Sequence, residues 1–339
     1  RSNTAQPTSG SVLDPTTGEP IPGLDLVALG ALQAEGIDPK YKQNTSHPIT
    51  GTLKAQYFFS PDLVGYVTFD RAYRVGAANL NIQGSLPNDF AELDSESARS
   101  AEIGLKGNFM EQRGRFAVAI FDQIYSNYQQ DIQNIPVYDP FAGRAANINT
   151  FVANAKEAEI LGVESEVNYL ILDNWDVGVS LTYNDAKFND FKNNPCQGSI
   201  TLTAAHPYNV CDLSNKSLPL APKWAGVITS NFSLPAFDGA DWYFNALINF
   251  RSDQVDKVTR NTLGGYGTTD LFTGLRAADK GPWDVSLWVK NVFDKRAVTR
   301  IFNSTTTNPD LQALFPGETF SMVSTNLPRQ IGATGTYRF

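Results

Sequence analysis

The last ten residues, Gln330 to Phe339, constrain the fold more than any other stretch of the chain. Ile331, Ala333, Gly335, Tyr337 and Phe339 alternate with Gln330, Gly332, Thr334, Thr336 and Arg338. One face is apolar or small and the other polar, the period-2 pattern of a strand lying between two different solvents. The strand ends on an aromatic residue at the chain terminus.

The same alternation recurs upstream. Ala101, Ile103, Leu105, Gly107 and Phe109 oppose Glu102, Gly104, Lys106 and Asn108. Trp175, Val177, Val179, Leu181 and Tyr183 oppose Asp176, Gly178, Ser180, Thr182 and Asn184. Trp283, Val285, Leu287 and Val289 oppose Asp284, Ser286 and Lys290. For Leu63–Arg74 and Arg115–Gln130 the pattern leaves the outward face open.

From Ile49 onward strand-like runs come in pairs, joined alternately by a tight turn and a long polar loop. The predicted strands are Ile49–Phe59, Leu63–Arg74, Ser100–Phe109, Arg115–Gln130, Phe151–Ile171 and Trp175–Phe188. Trp224–Leu234, Asp241–Arg251, Tyr266–Ala277, Trp283–Phe293 and the terminal strand follow, about eleven in all. Before Ile49, a helical pattern is weak (Leu24–Glu35), and residues 1–48 read as a long loop. No run of about 18 apolar residues exists, which excludes a membrane-spanning helix but not a barrel whose strands carry every second residue apolar. Short turns on one side, long loops on the other and strands beyond ten residues fit an all-β, antiparallel transmembrane barrel, here as an open, curved part of one.

Trp175, Trp242 and Trp283 each fall within two residues of a short turn, so they mark one level of the sheet. A membrane interface selects such a girdle, because indole is apolar with one polar N–H. A soluble sandwich with Trp at its strand starts is the competing reading.

Several segments resemble those of TonB-dependent outer-membrane receptors. Ala72-Tyr-Arg-Val-Gly76 is similar to that family's GYRPG-like segment, and Ser100-Ala-Glu-Ile-Gly-Leu-Lys106 to its S-x-E-x-G-L-K strand. Ala153-Asn-Ala-Lys-Glu-Ala-Glu-Ile-Leu-Gly-Val-Glu164 resembles its N-A-x-x-A-x-I-x-G-V-E strand. Asn291-Val-Phe-Asp-Lys295 looks like its N-L-F-D-K segment, and Tyr337-Arg-Phe339 like its ending, which the barrel-assembly machinery recognises.

The resemblance implies a plugged barrel of twenty-two strands in the outer membrane of a Gram-negative bacterium. Such a barrel takes up a scarce ligand (a siderophore, vitamin or glycan) with energy delivered through the TonB complex. It implies that residues 49–339 are the C-terminal half of the barrel, with plug and TonB-contacting segment absent. Residues 1–48 would then be an extracellular loop following a missing strand. An odd strand count itself points to a fragment. A passive porin-like channel and a soluble adhesin or glycan-binding β protein are the alternatives. The first lacks an upstream plug, and the second dissolves without detergent.

No catalytic set, metal site or cofactor site is legible. His47 and His206 fall in different loops without ligand spacing. The Gly264-Gly265 pair reads as a turn, and Asp94–Glu96 as a solvated acidic loop. Net charge of −8 argues against nucleic acid as a partner. Cys196 and Cys211 share one long loop, and in an oxidising compartment they would close a ring worth about 3 kcal/mol. The loop Asn134–Ala146 carries Tyr138, Phe141 and Arg144, an aromatic and basic set suited to touching a ligand.

Overall fold

The computed structural model describes residues 11–13, 20–25, 47–77, 93–139, 144–196, 201–203, 205–237, 239–278, 281–303 and 321–339. Eleven strands form one sheet. They are β1 (Gly51–Ser60), β2 (Leu63–Arg74), β3 (Glu96–Phe109) and β4 (Gly114–Asp139). β5 (Arg144–Leu172), β6 (Trp175–Asp190), β7 (Trp224–Phe237) and β8 (Ala240–Arg251) continue it. β9 (Tyr266–Ala277), β10 (Trp283–Lys290) and β11 (Gln330–Tyr337) complete it. Each strand pairs antiparallel with its neighbours in the chain, so the sheet is a meander whose edges are β1 and β11, without further partners among the described residues.

Cross-strand partners share a face, and the ladder therefore extends the alternation across all eleven strands. Ile103 lies opposite Val67 and Ile120, and Ile120 opposite Val163. Farther on, Val179 faces Val167 and Ile228, and Leu287 faces Thr273 and Ala333. The register settles the two strands whose pattern is ambiguous: Leu63, Val67 and Phe69 share the apolar face, as do Phe116, Val118 and Ile120. That face is open, with Ile103 62%, Leu287 61% and Ile331 75% exposed. A continuous apolar surface of this extent is built for lipid rather than water.

The opposite face is polar and self-paired. The Tyr66 hydroxyl donates to Glu102 Oε1 at 2.8 Å, and Lys54 and Lys106 sit 5.1 and 5.9 Å from its ring. Tyr243 donates to Asp284 and Asn231 to Asp176. Two glycines on this face make room for aromatic rings: a Cβ at Gly104 would lie 2.6 Å from Tyr66, and one at Gly332 would lie 2.3 Å from Trp288.

Short turns gather at one end of the sheet. Pro61–Asp62 and Asp173–Asn174 are two-residue turns. Met110, Glu111 and Gln112 make another with φ of 51°, 54° and 67°. At the other end, three long connections carry small hairpins of their own. Asn194–Cys196 pairs with Asn209–Cys211, Gln254–Val255 with Thr262–Leu263, and Val298–Asn303 with Ser321–Thr325. Near the start, Ser11–Leu13 pairs with Pro20–Asp25. Leu24 and Asp25 are therefore strand, and the rest of the weak helical pattern lies outside the described residues.

The structure corrects two predicted boundaries. β4 and β5, of 26 and 29 residues, run far beyond the 9–11 residues of a tilted span. Their ladder continues through Ile135↔Ile148 to Asp139↔Arg144, so most of the predicted loop Asn134–Ala146 is strand. Above the apolar band, residues 128–133 and 135–138 of β4 are buried or half-buried on both faces, and a strand covered on both sides loses its alternation. β10 ends at Lys290 rather than Phe293 because Asn291 turns left-handed (φ 51°). Its buried amide donates to the carbonyls of Lys295 and Leu327, while Oδ1 accepts from Lys295 N–H. Asp294 accepts from Arg329 N–H at 2.8 Å, clasping the exit of β10 to the entry of β11.

Candidate functional site

The well-packed core lies above the apolar band, under the long loops. Phe188, near the end of β6, is fully buried against Tyr128 and Phe191, with ring centroids at 6.2 and 5.1 Å. Around it sit Ile132, Ile135 and Val137 of β4, Phe151, Ala155 and Ala158 of β5, and Leu218 of the following loop. The small alanines let the extended hairpin and the loop approach closely.

Residues 191–223 close over this core. Cys196 and Cys211 are joined by a disulfide with Cα atoms 5.9 Å apart. Backbone bonds fasten the loop to the sheet, with Tyr138 N–H donating to Pro207 O at 2.7 Å and Phe188 N–H to Lys216 O at 2.9 Å. Replacing both cysteines by serine is expected to cost about 3 kcal/mol of local stability. The check is faster amide exchange confined to this loop.

A second loop, residues 252–265, docks through Asp256, whose side chain is fully buried. Oδ1 accepts from the Val258 and Thr259 amides and the Thr259 hydroxyl, and Oδ2 accepts from Ile301 N–H at 3.2 Å. Burial alone pushes this carboxyl up, but the four donors outweigh it and hold the pKa below the usual carboxylate range. Lys257 pairs with Asp131 of β4, and Arg300 donates to Gln133 Oε1 at 3.1 Å. Arg260 donates to Ser217 O at 2.8 Å, and burial lowers the pKa of its guanidinium. Three loops are thus locked to one strand end.

Between them lies a cleft of 280 Å³. Ile132, Pro195, Leu213 and the disulfide form its apolar wall, and Gln130, Asp131, Asn194, Lys257 and Arg260 its polar one. Asn194 is 5% exposed and its Oδ1 accepts no hydrogen bond. A buried unmatched acceptor beside cationic groups suits a mixed polar and apolar ligand. Among the described residues no group of three His, Cys, Asp or Glu could hold a metal ion.

Tyr138 is half-buried on β4, one pair from the hairpin tip, opposite Ala145. Phe141 lies outside the described residues, and of Arg144 only the backbone, in β5, is described. His206 is exposed in the disulfide loop and His47 precedes β1. Glu96 accepts from Gln129 N–H, which fixes the acidic segment to β4. The cleft residues Lys257 and Arg260 carry no motif of their own in the sequence, although Asp256-Lys-Val-Thr259 has the spacing of a side-chain-closed turn.

Near the short turns the apolar face carries an aromatic stripe. Trp175 and Trp242 flank Phe232, each at 6.3 Å and near perpendicular, and the Trp175 indole donates to Ser230. Trp283 lies opposite Tyr337, two residues nearer the turn than the Val285–Leu275 pair that marks the Trp242 row. Tyr337 packs on Phe339 at 5.3 Å. At the other edge of the band Trp224 packs on Tyr183 at 4.8 Å.

A family model described as TonB dependent receptor-like, beta-barrel, matches residues 25–292. The chain belongs to this family. Its members are receptors and transporters rather than enzymes. Solved structures of like fold include the ferric yersiniabactin uptake receptor FyuA from Yersinia pestis. It has 16% identity and a TM-score of 0.60, over 86% of this chain and 37% of that one. The siderophore receptor PiuA from Acinetobacter baumannii has 16% identity and a TM-score of 0.57, over 85% and 35%. The ferric-catecholate import receptor Fiu from K12 E. coli has 19% identity and a TM-score of 0.54, over 86% and 35%. At these identities the likeness is one of fold. This TonB-dependent receptor barrel thus spans about a third of the length of those chains.

Proposed function

We propose that the chain is the C-terminal half of the barrel of an outer-membrane receptor in a Gram-negative bacterium. The whole receptor takes up a scarce ligand of the siderophore, vitamin or glycan class. Its energy comes through the TonB complex, by way of a plug and contact segment outside residues 1–339. The observation that carries the reading is the direction of the two edges. β1 and β11 both run from the long-loop end to the short-turn end. Joining them directly would pair them in parallel, whereas an antiparallel closure needs an odd number of further strands. In lipid both edges must be paired.

In this reading the apolar face meets outer-membrane lipid and the polar face lines the lumen. Residues 1–48 belong to an extracellular loop following a strand outside the chain. Trp175, Trp242 and Trp283 form an interface girdle, and Tyr337 and Phe339 form the signal read by the assembly machinery. The cleft between the loops faces the ligand, and Tyr138, Phe141 and Arg144 are the further residues assigned to contact it. The ferric yersiniabactin uptake receptor and the siderophore receptor among the structural neighbours support that ligand class.

The test is the coding sequence upstream of Arg1. A plug, a TonB-contacting segment and about eleven further strands are expected. An upstream region without a plug would remove the energised-uptake reading. Phe339→Ala in the complete receptor is expected to lower the amount assembled in the membrane, measured as heat-modifiable barrel on gels. An unchanged amount would contradict the assembly role.

A further inference from the structure

Where the apolar face ends toward the long loops, two arginines stand directly opposite each other. Arg71 of β2 pairs with Arg99 of β3, one step on the same face beyond the Phe69–Ala101 pair. Both are exposed. Directly opposed side chains in a ladder have Cβ atoms about 5 Å apart, and like charges so placed destabilise the sheet unless something neutralises them.

Nothing described in the protein does. Neither guanidinium has a hydrogen bond or ion pair among the described residues. Asp70 points to the other face, where it accepts from Thr52 at 2.6 Å. Asp122 shares the apolar face, opposite Ala101, but forms no ion pair with either arginine, and its Oδ1 has no partner. Glu159, farther along that face, is engaged by Lys187 at 3.6 Å and Asn189 at 2.8 Å.

A second, independent feature lies directly below on the same strands. An apolar groove of 550 Å³ is lined by Tyr57, Phe59, Val67, Ile103, Leu105 and Ile120, with the Phe59 ring seated over Gly65. Val67 and Ile103 are each four residues from the arginine of their own strand, about 13 Å along the strand. A fatty acyl chain covers that distance. Paired guanidinium forks match phosphate oxygens in two directions at once.

We propose that Arg71 and Arg99 hold the anionic phosphate of a membrane lipid whose acyl chain lies in the Val67–Ile103 groove. The phosphate removes the repulsion between the arginines, and the groove gives the chain a fixed path down the barrel wall. The proposal rests on the membrane-spanning reading of the sheet and not on the ligand the receptor takes up.

The experiment uses the complete receptor in nanodiscs of phosphatidylcholine carrying spin-labelled phosphatidic acid or spin-labelled phosphatidylcholine as probe. The wild type is expected to retain the phosphatidic acid probe about tenfold better than the phosphatidylcholine probe. R71Q/R99Q is expected to bring that ratio close to one, R71K/R99K to restore part of it, and R115Q, on the polar face, to leave it unchanged. Saturating inorganic phosphate is expected not to displace the probe. Equal preference in the wild type and R71Q/R99Q would overturn the lipid site. Displacement by inorganic phosphate would equally overturn it, in favour of a free-anion site. Because the readout is lipid retention, its failure leaves the uptake reading to stand or fall on the upstream sequence.

Discussion

Phe188→Ala is expected to cost about 3–5 kcal/mol in the loop-capped half of the molecule. The ring is fully buried and anchors contacts to Tyr128 and Phe191 across two strands and a loop, so its removal leaves a cavity the surrounding ladder cannot collapse. Loss of protection should appear at amides of residues 128–138, 151–158 and 213–218 in hydrogen exchange. The ladder of the apolar band, from Phe109 to Ala101, should keep its protection. Uniform loss along whole strands would mean that cap and barrel wall unfold as one unit, against the account of a separate core above the band.

Asp256→Ala is expected to free two loops at once. The carboxylate accepts four hydrogen bonds, three within residues 258–259 and one from Ile301, and its removal strands those donors in a closed environment. About 3 kcal/mol of local stability, or roughly a hundredfold in amide exchange at Val258, Thr259 and Ile301, is the expected loss. The pH dependence follows from the lowered pKa. A carboxylate whose folded pKa lies below its unfolded value of about 3.9 contributes stability above that value. The contribution disappears as pH falls through the folded pKa. The docked loops should therefore hold at neutral pH and loosen only in acid below the ordinary carboxylate range. Asp256→Asn should remove that acid-dependent step.

The two-faced sheet is legible in the sequence because different surroundings on its two faces impose period 2. The alternation of Ile331, Ala333, Gly335 and Tyr337 reappears intact in β11, and β9 has the same limits, Tyr266–Ala277, that the pattern indicates. Alternation fades where that asymmetry ends. Ile132, Ile135 and Val137 are all buried at mixed spacing, so the upper part of β4 reads as irregular although it is strand. Pro136 strengthens the false impression of a loop.

The candidate cleft was hidden for a different reason. Asp131 meets Lys257 across 126 positions, and Gln133 meets Arg300 across 167. No local period encodes such pairs. The Arg71–Arg99 opposition is of the same kind, since two arginines far apart in the chain become neighbours only once the register is fixed.

The central claim is that the apolar face of the eleven-stranded sheet meets lipid and the polar face a lumen. Nitroxide labels placed singly from Asp284 to Val289 in the complete receptor, reconstituted in bilayers, test it most directly. Accessibility to oxygen, which partitions into lipid, should peak at positions 285, 287 and 289 and fall at 284, 286 and 288. A water-soluble relaxant should follow the opposite order wherever the lumen admits it. Equal access to the water-soluble relaxant at all six positions, or a peak at 284, 286 and 288, would contradict the account.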